Sequence, residues 1–166
     1  PILPDKSQGA RPARRATMPV NSMTMNLANS ADPFLRPAFS LRNRCARLAW
    51  NIVQSTVFQL SPRPLHQWRV WLLRCFGAQM GRHCHVYPRA RIWAPWNIVC
   101  EEAACIGDEA IIYNPDRVVL RSHAIVSQQA YLCGATHDYR DPAFPMTWAP
   151  IVIGRYAWVC ARATVL

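Results

Sequence analysis

The chain has 166 residues, 19 Lys+Arg against 9 Asp+Glu, a net charge of +10 and 51% hydrophobic residues. That length suits one domain with a real core, and the composition excludes a disordered acidic tail, a collagen-like chain and a small disulfide scaffold. Residues 1–47 hold +6 of the charge and residues 48–166 only +4, so the basicity is mostly N-terminal. Seven cysteines without a CxxC spacing argue against zinc knuckles and thioredoxin-like motifs, and favour a reducing, cytosolic location. No secretory signal is visible, and the longest apolar stretch, Leu48–Leu60, falls short of the roughly 20 residues that a spanning helix needs.

Residues 1–33, rich in Pro, Ser, Asn, Arg and Met, read as a disordered basic arm. Residues 34–78 read as a helical segment. Ser40 is a candidate N-cap, and Leu41, Leu48, Ile52 and Leu60 with Cys45, Trp50 and Val57 give an apolar stripe that Pro62 and Pro64 end. A second amphipathic stretch, Pro64–Phe76, carries Trp68, Trp71, Leu72 and Phe76, with Gly77 placed to stop it. Arg42, Arg44, Arg47, Arg63, Arg69 and Arg74 fall on the other faces. The plain reading is a solvated surface on two packed helices; the sharper one is contact with an anionic membrane.

From residue 79 to residue 166 the pattern changes. Apolar residues recur every six positions: Met80, Val86, Ile92; Cys100, Ile106, Ile112; Leu120, Val126, Leu132; Ile153, Val159, Val165. The first three groups start 20 residues apart, and an insertion within residues 133–152 displaces the fourth. Four positions after these residues stand Ala90, Ala104, Ala110, Ala124, Ala130, Ala157 and Ala163, and one position after three of them stand Gly81, Gly107 and Gly154. The alanines predict a narrow interior and the glycines tight backbone turning. A six-residue step cannot hold one face of an α-helix. It fits a three-sided coil in which each step lays down one short strand and one corner, and stacked coils bury a core that no single repeat could.

The repeat, with Ile106-Gly-Asp-Glu-Ala-Ile and Ile153-Gly-Arg-Tyr-Ala-Trp-Val as its clearest copies, resembles the hexapeptide repeat of left-handed parallel β-helix acyltransferases. Pro33-Phe-Leu-Arg-Pro-Ala-Phe-Ser-Leu, Tyr87-Pro with Ile92-Trp-Ala-Pro-Trp-Asn, and Leu132-Cys-Gly-Ala-Thr-His-Asp-Tyr resemble the colanic acid biosynthesis acetyltransferase branch, kin to maltose and galactoside O-acetyltransferases. The expected fold is therefore all-β, a left-handed parallel β-helix preceded by an α-helical segment.

An imidazole on a loop is suited to take a proton from a sugar hydroxyl as that oxygen attacks a thioester. The resemblance makes His137 the general base of direct acetyl transfer from acetyl-CoA. It places Trp158 at the cofactor and active-site wall, where outward packing between subunits is the alternative. Ala161 falls where the galactoside enzymes use a Ser against the cofactor, so only its backbone serves here. Asn114 is assigned to the acceptor cleft or to a left-handed corner, and Asp138 to orienting His137, binding a sugar hydroxyl or capping the loop.

The resemblance further implies a homotrimer with acetyl-CoA between neighbouring β-helices and a sugar or glycan acceptor of exopolysaccharide synthesis. It places the reaction in the cytoplasm, at the inner face of the membrane. The repeats show no stripe of aromatics interleaved with basic residues, so no nucleic-acid partner is expected. Another acceptor, such as an antibiotic hydroxyl, and a non-catalytic scaffold are the alternatives. A zinc-dependent γ-class carbonic anhydrase would need three His ligands from adjacent coils, and its close-spaced downstream pair is missing, so no metal is expected. Relatives continue for at least another coil past the position of Leu166, so an incomplete cofactor groove and weak activity are expected of these residues alone.

Overall fold

The computed structural model describes residues 39–166, so the basic arm and the Pro33-Phe-Leu-Arg-Pro motif lie outside the described residues. Twelve short strands wind into a three-sided parallel β-helix. The first coil comprises β1 (Gln79–Met80), β2 (His85–Val86) and β3 (Arg91–Ile92). The second comprises β4 (Ile98–Cys100), β5 (Cys105–Ile106) and β6 (Ile111–Tyr113), and the third β7 (Val118–Leu120), β8 (Ile125–Val126) and β9 (Tyr131–Cys133). A hairpin of β10 (Ala135–His137) and β11 (Met146–Trp148) follows, and then the fourth coil: β12 (Ile151–Ile153), β13 (Trp158–Val159) and β14 (Thr164–Val165). Corresponding strands of successive coils pair in parallel, giving three four-stranded sheets that form a left-handed β-helix.

The six-residue step is the inward register. Val86, Ile92, Ile106, Ile112, Leu120, Val126 and Leu132 are all shut off from water, and so are Ala90, Ala104, Ala110, Ala124 and Ala130 at the narrow positions. The longer step before each new coil has a packing reason. Ala78, Ile98, Val118 and Ile151 are also buried, two residues before Met80, Cys100, Leu120 and Ile153, so β4, β7 and β12 each bury two side chains, and Ala78 does the same just before β1.

The glycines act differently from expectation. Neither Gly81 nor Gly107 has a positive φ. A Cβ on Gly81 would lie 2.7 Å from the backbone of Glu101 and Glu102, and one on Gly107 would lie 2.7 Å from that of Ser127 and Gln128. They allow close approach of the next coil. The left-handed turning falls three residues after the inward aliphatic, at His83, Ala103, Glu109, His123, Gln129, Tyr156 and Arg162, with φ of +55° to +61°. His83 and His123 thus sit on one outer corner, where His123 stacks on Tyr156 at 4.7 Å.

Helix α1 (Leu41–Val53) runs into a wider turn at Gln54–Phe58, and α2 (His66–Cys75) follows. Ser40 caps α1, its hydroxyl accepting from the Asn43 N–H at 3.3 Å. These helices cover the edge of the first coil, which would otherwise present unpaired carbonyls and N–H groups. Trp50 Nε1–H donates to the Ile92 carbonyl (2.6 Å), and the Ile92 N–H donates to Gln54 Oε1 (3.0 Å). Arg69 Nε donates to the Val86 carbonyl at 2.6 Å, and Arg74 Nη2 to that of Met80 at 2.7 Å. One side chain or more therefore reaches each of β1, β2 and β3.

That function reverses the expected faces. Among the stripe residues only Trp50 is buried, against Phe58 and Phe76, while Leu41, Cys45, Leu48, Ile52, Val57 and Leu60 face solvent. On α2, Val70, Leu72 and Leu73 go in, and Trp68 and Trp71 stay out, stacked at 5.1 Å. Arg69, expected on a solvated face, is fully buried and donates also to Ser61 Oγ and to the Pro62 and Arg63 carbonyls. No helix among the described residues is long and apolar enough to cross a membrane.

Candidate active site

The hairpin β10–β11 leaves the prism at the corner between the third sheet and the first. Its antiparallel register sets His137 opposite Met146. The half-buried His137 ring lies flat on Phe144, 4.5 Å between centroids with planes 3° apart. His137 Nδ1 is 3.0 Å from the Phe144 carbonyl oxygen. A carbonyl only accepts, so Nδ1 carries the hydrogen, and the neutral ring keeps its lone pair on Nε2.

Local chain chemistry holds this arrangement. The Phe144 backbone sits in the left-handed region (φ +46°), unusual for an aromatic residue, and its N–H donates to the Asp141 carbonyl at 2.8 Å. The Ala143 N–H donates to Asp141 Oδ1 at 2.9 Å. Asp138 Oδ1 accepts from the Arg140 N–H at 3.0 Å, while the Asp138 N–H pairs with the Pro145 carbonyl. Asp138 thus caps the loop, and the atom that orients His137 is the Phe144 carbonyl. Sequence reasoning missed Phe144; its only signal is its place within the insertion.

Asn114 is nowhere near an open cleft. It is fully buried inside the prism, Oδ1 accepting from the Ala94 N–H (3.0 Å) and Nδ2 donating to the Ala94 carbonyl (2.8 Å). Its φ is not positive, so the left-handed corner reading fails as well. The carboxamide bridges two coils where the neighbouring small positions offer no side-chain partner for the Ala94 peptide groups.

Trp158 and Ala161 lie on another side. Trp158 is 66% exposed on the outer face of the second sheet, and its Nε1–H donates to Ser127 Oγ at 2.6 Å. Ala161 lines a groove of about 810 Å³ along the corner between the second and third sheets, with Arg63, Tyr87, Ser127, Gln128 and Arg162. Arg89 also borders the groove but is ion-paired to Asp108 (2.7 Å) and Glu109 (2.9 Å). Partial burial alone would raise the Asp108 pKa; the bonds from the Arg89 side chain and N–H outweigh that and hold it below the ordinary value. Beside the hairpin, hydrogen bonding with Cys133 and desolvation push the Tyr131 phenol up to about 12. Within one chain, then, the imidazole and the groove occupy different corners of the prism.

No family model matches the chain. Among curated proteins it is 36% identical over 110 residues to the WcaF proteins of Escherichia coli (strain K12) and of Shigella flexneri, each named a putative colanic acid biosynthesis acetyltransferase. The aligned region spans 66% of this chain, and the chain covers about 60% of the length of these relatives.

Proposed function

We propose that the chain belongs with the hexapeptide-repeat proteins of the colanic acid acetyltransferase type, and on that premise that its protein is an acetyl-CoA-dependent O-acetyltransferase of a sugar or glycan hydroxyl in exopolysaccharide synthesis. The observation that carries the reading is the His137 ring, stacked on Phe144 with Nδ1 3.0 Å from the Phe144 carbonyl oxygen, which leaves Nε2 as the ring nitrogen without a partner in the hairpin. Acetyl-CoA would supply the activated acyl group as a thioester. His137 Nε2 takes the proton of the acceptor hydroxyl while that oxygen bonds to the thioester carbonyl carbon. The carbon–sulfur bond then breaks, and the imidazolium returns the proton to the departing thiolate. No covalent acyl-enzyme is required.

The groove at the second corner suits the donor. It is long, Ala161 leaves it open, Trp158 offers a flat apolar wall on its neighbouring face, and Arg63 and Arg162 suit phosphates. Asp138, at the hairpin, is assigned a sugar hydroxyl. Because base and groove stand at different corners, a complete site takes the hairpin from one copy and the groove from a second. That favours a homotrimer with sites between subunits; the cytoplasm, at the inner face of the membrane, is the proposed location on the strength of the resemblance alone.

The test follows thiol release from acetyl-CoA with a glycan acceptor. His137→Ala and His137→Gln should each lower kcat by about 10²–10⁴-fold, the contribution of a positioned general base. Transfer undiminished in both would overturn the catalytic assignment.

A further inference from the structure

We propose that the outer face of the helical cover is a docking surface for an anionic lipid bilayer. On α1, Leu41, Cys45, Leu48 and Ile52 follow one another at helical spacing and fall within roughly 60° of the helix circumference, opposite the buried Trp50. Leu41 is 74% exposed and Leu48 63%. A second exposed apolar pair stands on α2, where Trp68, its Nε1–H donating to the Val57 carbonyl at 3.0 Å, stacks on Trp71. Exposed large apolar residues gathered on one helix face, rather than scattered singly, mark interaction sites.

Charge selects the occupant. From Pro33 to Cys100 the sequence has ten arginines and not one Asp or Glu, whereas Glu101–Leu166 has five arginines against seven carboxylates. Arg42 and Arg44 flank the stripe on its two sides, both exposed, and among the described residues neither pairs with a carboxylate. Apolar residues and stacked tryptophans, with exposed arginines bordering the stripe, match the boundary between lipid headgroups and acyl chains. A second copy of this chain would instead bring arginine against arginine. Docked this way, the coils stand away from the bilayer. The His137 hairpin then sits two coils beyond the first, roughly 10 Å further out at the usual spacing between paired strands.

Co-sedimentation with phosphatidylcholine vesicles, with and without phosphatidylglycerol, tests this without any acetyl-transfer readout, so it succeeds or fails independently of the proposed activity. The 166-residue chain should bind the phosphatidylglycerol vesicles and be released by high salt. Leu48→Ser with Ile52→Ser, and separately Arg42→Glu with Arg44→Glu, should each weaken binding about tenfold or more, while Arg155→Glu on the fourth coil leaves it unchanged. Unchanged thermal melts of the variants would show that the fold survives. The proposal is overturned by no binding to anionic vesicles, by equal binding to neutral ones, or by full binding of the folded double variants. It is overturned equally if Leu48→Ser with Ile52→Ser lowers the oligomeric state and leaves vesicle binding intact.

Discussion

In the coils, each aliphatic of the six-residue step from Val86 to Leu132 is shut off from water, whereas on α1 Leu41, Leu48 and Ile52 stand in solvent and Trp50 alone goes in. The arginines differ in the same sense. Arg121 on a coil corner pairs with Glu101 at the surface (2.6 Å), while Arg69 on α2 is buried among carbonyls. What each region packs against explains the difference. A coil encloses its own interior, so only apolar or mutually satisfied groups fit inside. The helices lie on the raw edge of β1–β3, where carbonyls require donors and the Ile92 N–H an acceptor, so tryptophan and arginine on one count and glutamine on the other are the useful inward residues.

Core truncation should widen this contrast most. Ile106→Ala or Leu132→Ala leaves a void inside a closed prism and should cost about 2–5 kcal/mol in chemical denaturation. If either costs under about 1 kcal/mol, the coil interior is not the rigid half of the pair. Asn114→Leu strips the Ala94 N–H and carbonyl of their partners and should cost about 2–4 kcal/mol. Arg69→Met tests the cover in the same currency. It removes the donor to Val86, Pro62 and Arg63 and should cost about 2–3 kcal/mol, where an exposed arginine such as Arg42→Met should cost no more than about 0.5. Leu48→Ser with Ile52→Ser should shift folding stability by no more than about 0.5 kcal/mol per site, because those side chains lose little contact with their own chain.

The smallest expected effect depends on pH. Desolvation lowers the His66 pKa below 6.5, aided by Arg69 and opposed by the bond with the Val86 carbonyl. A lowered folded-state value means that the unfolded chain binds the proton first. Stability from His66 is therefore full above pH 6.5 and declines as pH falls from there through the folded value. Melting temperature should drop between pH 7 and pH 5.5, and His66→Gln should drop less. An equal drop in the variant would assign the acid sensitivity to other groups.

The same contrast explains what was legible in the sequence. The six-residue step and its alanine offset announce the coil because each repeat meets the same internal geometry, so Ile106 and Ala110 predict Val126 and Ala130. In an isolated helix the 3.6-residue stripe shows that one face is apolar but not which way that face points. The direction depends on the edge beneath, which for α1 lies 42 residues away in sequence at the Trp50–Ile92 bond. The structure puts His137 on the hairpin, and that it stands on the inserted segment was legible from the sequence. Phe144 was not, since it contributes a backbone carbonyl that any residue carries, and Asn114 was misread because a polar residue inside a prism is visible only once the Ala94 peptide is seen beside it.

The insertion leaves the winding undisturbed. Val118 pairs with Ile98 at 20 residues' separation and with Ile151 at 33, yet both rungs are in the same register. The Ala149 N–H closes onto the Gly134 carbonyl at 3.1 Å, pinching the hairpin off at its stem. Everything beyond that stem can change length or sequence without the coils having to re-index. The hairpin is thus a separable head on a fixed spool, and a hairpin of another length grafted between Gly134 and Ala149 should leave the coil pairing intact.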